Sequence, residues 1–219
     1  MWYALGKIFS ELCINLFTSS TVIQDIQDLR KAGLATVGYF YFDFGDSSKQ
    51  SARGFLSSLL IQLCAQSDSY CDVLSDVHSE HNCGSAQPSD DVLLQSLKSM
   101  LKLSGQAPFY IIVDGLDECP NPSQLTSRRG EVLEVIEELI NLHHPHLHLC
   151  VTSRPEADIK VVLKPLSTHH ISLHDEPGQA RDIATHIKSV IHSHRKMRGW
   201  PDDIKKLVTN SLSRNGGGM

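Results

Sequence analysis

Several features that commonly reveal a function are missing from this 219-residue chain. Its six cysteines include no CxxC pair, which removes the usual zinc-knuckle and thioredoxin-type readings. Cys64 and Cys150 lie inside the apolar runs LLIQLCAQ and LHLCVTS, where a free thiol packs as a small core residue. That is cysteine usage for a reducing compartment, and a cytoplasmic location is expected. There is no run of 18 uncharged apolar residues, so no membrane span is expected. The opening segment MWYALGKIFSELCINLF has no basic region ahead of its apolar stretch, which Lys7 and Glu11 interrupt. It reads as an amphipathic or poorly ordered N-terminus and not as a signal peptide. No G-x-S-x-G elbow occurs and no Cys–His pairing can be argued, so hydrolase chemistry lacks support. A pI near 6.2 also argues against a protein built around nucleic acid.

What is present is ordinary globular usage, 41% hydrophobic and 21% charged. At roughly 150 residues per domain the length allows one domain, or one and a fragment. Charge is unevenly spread. Residues 1–180 hold 12 basic and 22 acidic side chains, whereas residues 181–219 hold 8 and 3. The basic stretch includes Arg195, Lys196, Arg198, Lys205 and Lys206 and reads as the solvated face of a helical subdomain packing against the acidic body, with nucleic acid or anionic lipid as the less favoured alternative.

Strand and helix signals alternate from residue 20 onward. STVIQDIQDLRKA spaces Val22, Ile23, Ile26 and Leu29 at helical intervals and ends at Gly33. ATVGYFYFDF is β-branched and aromatic and reads as a buried strand. SARGFLSSLLIQLCAQ returns to helical spacing, residues 70–80 suggest a shorter helix, and Ser89 or Asp90 would cap DVLLQSLKSMLKL. FYIIVDGLDE, the helix EVLEVIEELINL, the strand LHLCVTSRP and a fifth element HHISL follow, then helices over 177–194 and 201–213. Apolar strands separated by helices specify parallel pairing with right-handed crossovers, in a sheet covered on both faces. The expected fold is a three-layer α/β parallel sheet with a helical C-terminal extension.

In such a sheet the ligand site lies at the carboxyl ends of the strands. Three strand ends carry polar groups: Asp43 and Asp46; Asp114, Asp117 and Glu118; and Thr152, Ser153 and Arg154. An acid ending a buried strand needs a cation or hydrogen-bond donors to stay ionised. In phosphoryl-transfer enzymes the cation is Mg²⁺, and a second acid orients or deprotonates the attacking water. The run YIIVDGLDE suggests that division of roles, though an acidic turn capping a helix would look the same. An arginine after the next strand could sense a γ-phosphate, and a Ser-Arg-Pro turn would equally stop that strand.

Four blocks in order, YFYFDF, RGFLSSLLIQL, FYIIVDGLDEC and LHLCVTSRPE, resemble the NACHT-type nucleotide-binding domains of STAND signalling NTPases. The likeness is strongest to the fungal NLR-like group with a nephrocystin-like N-terminal module, and it covers roughly residues 20–215. It implies a P-loop NTPase-like core that uses Mg-ATP or Mg-GTP. It further implies Asp114 as magnesium ligand, Asp117 and Glu118 in the catalytic acidic positions, and Ser153 and Arg154 as the sensor-like strand end.

Such a site also needs a phosphate cradle, G-x-x-x-x-G-K-[ST], ahead of the first helix. Nothing of the kind precedes Thr21: residues 8–20 contain neither glycine nor lysine, and Gly6-Lys7 is followed by Ile8. Residues 1–19 are therefore expected to replace the first strand and phosphate loop, residues 20–176 to form the core, and residues 177–219 to begin a basic helical subdomain. Nucleotide binding and turnover are expected to be impaired. The alternative is a non-catalytic module, or a truncated fragment, that docks on full-length relatives or on itself through an exposed sheet edge or helices. Two metal readings remain, both weak in spacing: His146 and His148 of HHPHLH on one strand face, and a tetrad of Cys71, His78, His81 and Cys83.

Overall fold

The computed structural model describes residues 2–5, 19–81, 86–103, 107–121, 128–171 and 177–215. The chain divides into two units, Met1–Ile171 and Ser172–Met219. In the first, β1 (Trp2–Leu5) precedes α1 (Ser19–Lys31), β2 (Thr36–Tyr41), α2 (Ala52–Cys64), α3 (Asp68–Glu80) and α4 (Asp90–Leu101). Then come β3 (Phe109–Asp114), α5 (Arg128–Asn141), β4 (Leu147–Thr152), α6 (Ala157–Leu166) and β5 (His169–Ile171).

Local chemistry sets the helix boundaries. Helix α1 carries Arg30 and Lys31 in its last turn, where cations oppose the carbonyl end of the dipole. It stops at Gly33, whose φ of 73° suits a residue without Cβ. Ser51 caps α2 by accepting the Gly54 N–H, and Ser89 rather than Asp90 caps α4 by accepting the Val92 N–H. Asp90 and Asp91 instead occupy the first turn, where acids complement the exposed N–H groups.

The sheet order is β2-β3-β4-β1-β5. Strands β2, β3 and β4 are parallel, with Thr36 opposite Phe109 and Phe109 opposite Leu147. That parallel core confirms the expected α/β class. The structure adds a strand that the sequence did not suggest. Trp2–Leu5 lies between β4 and β5 and is antiparallel to both, Trp2 beside Thr152 and Leu5 beside Leu149. Among the described strands, only β1 runs against the others.

Strand alternation distributes the core between two faces. Phe109, Ile111 and Val113 join Phe55, Leu59 and Leu63 of α2, Leu97 and Met100 of α4, and Val132 and Ile136 of α5 in one buried cluster. Tyr110 and Ile112 are buried on the other face, and α1, with Val22 and Ile26 buried, packs on β2 and β3. The second unit holds α7 (Pro177–Ser193) and α8 (Asp202–Asn215). Within it Ile191 and Thr209 are buried, and the Thr209 hydroxyl donates to the Lys205 carbonyl. No helix among the described residues is long and apolar enough to cross a membrane.

Candidate functional site

Because β2, β3 and β4 are adjacent and parallel, their three polar strand ends meet at one edge of the sheet. Asp114 ends β3 opposite Tyr41 of β2, and Thr152 ends β4. The chain turns sharply after Asp114. Gly115 takes φ 67°, and a Cβ there would come 3.4 Å from the Phe42 carbonyl oxygen. That approach is an ordinary contact, so it is the left-handed φ that favours glycine, and it lets a 3₁₀ turn, Leu116–Glu118, begin at once with Leu116 fully buried.

Thr152 joins two strands through one hydroxyl. Its Oγ1 accepts the Gly115 N–H at 3.1 Å and donates to Asp114 Oδ1. The half-buried Asp114 carboxyl is thereby held in one orientation, as outer-shell partners hold a metal-binding carboxylate. Burial, and next the Asp114 charge, push the neighbouring Tyr41 phenol above its ordinary pKa.

The second acids are engaged by protein groups. Asp117 Oδ1 accepts the Arg154 backbone N–H at 2.8 Å, and Oδ2 lies 3.4 Å from Arg154 Nε. Asp117 is nearly buried, at 11% exposure, while the Arg154 side chain is 80% exposed, so the pair is anchored from the acid's side. Glu118 Oε2 accepts the Phe44 N–H at 3.2 Å, tying the turn after β3 to the loop after β2. Ser153 is buried, and its hydroxyl donates to the Arg154 carbonyl at 2.7 Å. In the β2 loop, Lys49 sits 3.5 Å from Asp46 and 4.0 Å from Asp43. The Ser48 hydroxyl and N–H hold the Asp46 carboxyl below the usual carboxylate range, with a smaller contribution from Lys49.

One residue of this region escaped the sequence reading. Arg129, buried in the first turn of α5, donates from Nε to the Cys119 carbonyl at 2.9 Å and from Nη2 to the Asp117 carbonyl at 2.7 Å. Its Nη1 reaches Asp158 of α6 at 3.2 Å. Beside it, burial pushes the Cys119 thiol up to about 11, against the opposing charges of Arg129 and Arg128.

These residues fit one half of a magnesium–nucleotide site. Asp114, half-buried at a strand end and held by the Thr152 hydroxyl, has the donor chemistry that a magnesium ion would need. The phosphate half does not fit. A phosphate turn leaves the carboxyl end of a parallel strand and enters a helix N-terminus. Here β1 enters at that edge beside Thr152 and leaves toward the opposite one beside Leu149. The stretch that should carry the cradle, residues 6–18, lies outside the described residues and contains no lysine beyond Lys7.

The histidine cluster is not gathered on a strand. His146 precedes β4, while His148 on the strand is buried and stacks on Tyr110 at 4.8 Å and 25°. Of the proposed zinc tetrad, Cys83 lies outside the described residues. Cys71 Sγ donates to the Cys64 carbonyl, and His81 Nδ1 lies 2.8 Å from the Val77 carbonyl oxygen. Among the described residues, no three His, Cys, Asp or Glu side chains are grouped to hold a metal ion.

No curated protein matches the chain significantly. A family match spans residues 16–154, from just ahead of α1 to Arg154, and so takes in all three polar strand ends but not β1. With more than half of its length matched, the chain belongs to the family described as nephrocystin 3, N-terminal.

Proposed function

We propose that this chain is a nucleotide-binding-type signalling module of the NACHT class in which ATP or GTP binding and hydrolysis are impaired. The observation that carries this reading is the direction of β1, which leads the chain away from the edge where a phosphate turn would begin. Asp114 would hold magnesium if nucleotide bound, and the ion would supply charge neutralisation at the phosphates. Asp117 and Glu118 would take the catalytic acidic positions in this reading, with Arg154 engaging the Asp117 carboxylate and the Phe44 N–H engaging one oxygen of Glu118.

The cost of a missing cradle is large. Hydrogen bonds to charged groups contribute about 1.5–3 kcal/mol each, and losing three weakens a ligand by a factor on the order of a thousand or more. Calorimetric titration with Mg-ATP and with Mg-GTP is expected to give no saturable micromolar binding. Micromolar binding that Asp114→Ala abolishes would overturn the proposal.

A second reading, a non-catalytic module that docks on full-length relatives or on itself, is favoured by the same engagement of Asp117 and Glu118. Co-purification with a full-length relative is its test, and a chain that stays monomeric and partnerless counts against it.

A further inference from the structure

Among the described strands, β2 and β5 are the two outer strands of the sheet, and β2 is the longer. Its Thr36 N–H bonds the Pro108 carbonyl, and the Phe42 N–H just beyond it bonds the Asp114 carbonyl. Residues 36, 38, 40 and 42 therefore face β3, and Val37, Tyr39 and Tyr41 turn their backbone outward. An outer strand with the sequence TVGYFY, uncharged, aromatic and without proline, is a ready template for another strand.

Two side chains occupy that template. Gln62 Oε1 accepts the Tyr39 N–H at 3.1 Å, and its Nε2 donates to the Tyr39 carbonyl at 2.8 Å. Gln66 treats Val37 identically, at 3.0 and 2.7 Å. Each amide spends its other hydrogen locally, Gln62 on Ser58 Oγ and Gln66 on the Gln62 carbonyl. All donors are placed, and flipping either amide would set oxygen against oxygen. The spacing explains why glutamines four apart can do this. Four helical residues rise about 6 Å, and two strand residues span about 6.6 Å, so residues i and i+4 of a helix match the outward residues i and i+2 of a strand. A primary amide offers the same N–H and C=O pair as a peptide group.

We propose that Gln62 and Gln66 act as a surrogate strand that shuts β2 against a second copy of this chain, the latent interface being an antiparallel β2–β2 pair centred on Tyr39. The outward groups are self-complementary about that centre. Tyr39 would face its own copy and Val37 would face Tyr41, with no charge in the strand to oppose it. The glutamines cover Val37 and Tyr39, whereas Tyr41, 38% exposed, lies past them near the 75% exposed Phe44. The sheet edge on which docking was expected is therefore closed along most of its length.

The test is sedimentation velocity on the full chain over a concentration series. Gln62→Met/Gln66→Met keeps side-chain length and helix propensity but removes both amides. It is expected to self-associate at least about tenfold more tightly than the wild type, a difference of about 1.4 kcal/mol. Gln62→Glu/Gln66→Glu also loses the donors but places carboxylates on the edge, and is expected to associate no more than the wild type. If both variants fold, as judged by circular dichroism, and neither associates, the proposal fails. It also fails if both associate equally, because the cause would then be general exposure. Should the methionine variant not fold, wild-type amide exchange decides. Protection of Val37 and Tyr39 comparable to that in β3 supports the surrogate strand, and exchange as fast as in exposed turns overturns it.

Discussion

Arg129 enters α5 with its guanidinium turned back beneath the acidic turn, where it serves Cys119, Asp117 and Asp158 at once. Its neighbour Arg128 is exposed. Nothing in the segment SRRGE separates the two, because helical phase alone decides which one points inward. The same holds for Thr152, legible as a strand-end hydroxyl but not as the direct partner of Asp114. Truncating Arg129 would strand two carbonyls and leave Asp158 without its cation. A buried ion pair broken from one side costs about 3–5 kcal/mol, and the 32% exposure of Asp158 lowers the figure here to about 2–4 kcal/mol. Arg129→Met is therefore expected to lose about 2–4 kcal/mol in urea unfolding, against within about 0.5 kcal/mol for Arg128→Met. Equal losses from the two would remove the strut beneath the acidic turn. Arg129→Lys should recover little, since one ammonium cannot reach in three fixed directions.

At the scale of elements, α2 closes onto the loop after β2 at Gly54. A Cβ there would lie 2.2 Å from the Ser48 backbone oxygen, in the 3₁₀ turn Ser47–Lys49. Glycine-to-alanine inside a helix ordinarily gains up to about 1 kcal/mol. Here the sign reverses: Gly54→Ala must push a backbone segment aside, and a loss of about 1–3 kcal/mol is expected in chemical denaturation. A neutral or stabilising result would mean that the turn yields freely. This close approach could not be read from SARGFL, although the helix and its Ser51 cap could. The elements fixed by local signals were legible throughout: apolar β2, β3 and β4, the capped helices, and a further element at HHISL, which the structure shows as the short strand β5. The helix expected over 70–80 begins two residues earlier, at Asp68. Strand β1 was not legible, because MWYAL shows no alternation and its partners lie at residues 149–152 and 169–171. Its direction, on which the functional proposal turns, is a tertiary property. Gln62 and Gln66 were hidden for a similar reason, looking in LLIQLCAQ like the polar side of a helix.

For the whole molecule, the change from acidic to basic composition near residue 180 falls close to the boundary between the two units at 171 and 172. The first unit's response to acid is set by a buried base as well as by its acids. His148 is 7% exposed and stacked on Tyr110. Burial pulls its pKa below the ordinary histidine value, and the charge of His146 lowers it further. His144 is lowered for the same two reasons, in the same order. The unfolded chain takes up these protons near pH 6.5, while the folded chain resists until lower pH, so in that interval the unfolded state binds more protons. Stability is then complete above about pH 6.5 and falls as pH drops below it, with His148 contributing at most about 1.4 kcal/mol per pH unit. Asp28 and Asp46 do not act in this window. Their partners lower their pKas, so what they contribute persists until pH falls into the carboxylate range. Urea unfolding at pH 7.5, 6.5 and 5.5 should show wild-type stability declining over the last step. His148→Phe keeps a ring against Tyr110 and cannot be protonated, so its decline should be distinctly shallower. Parallel declines in the two proteins would assign the acid sensitivity to other groups and leave His148 as a packing residue only.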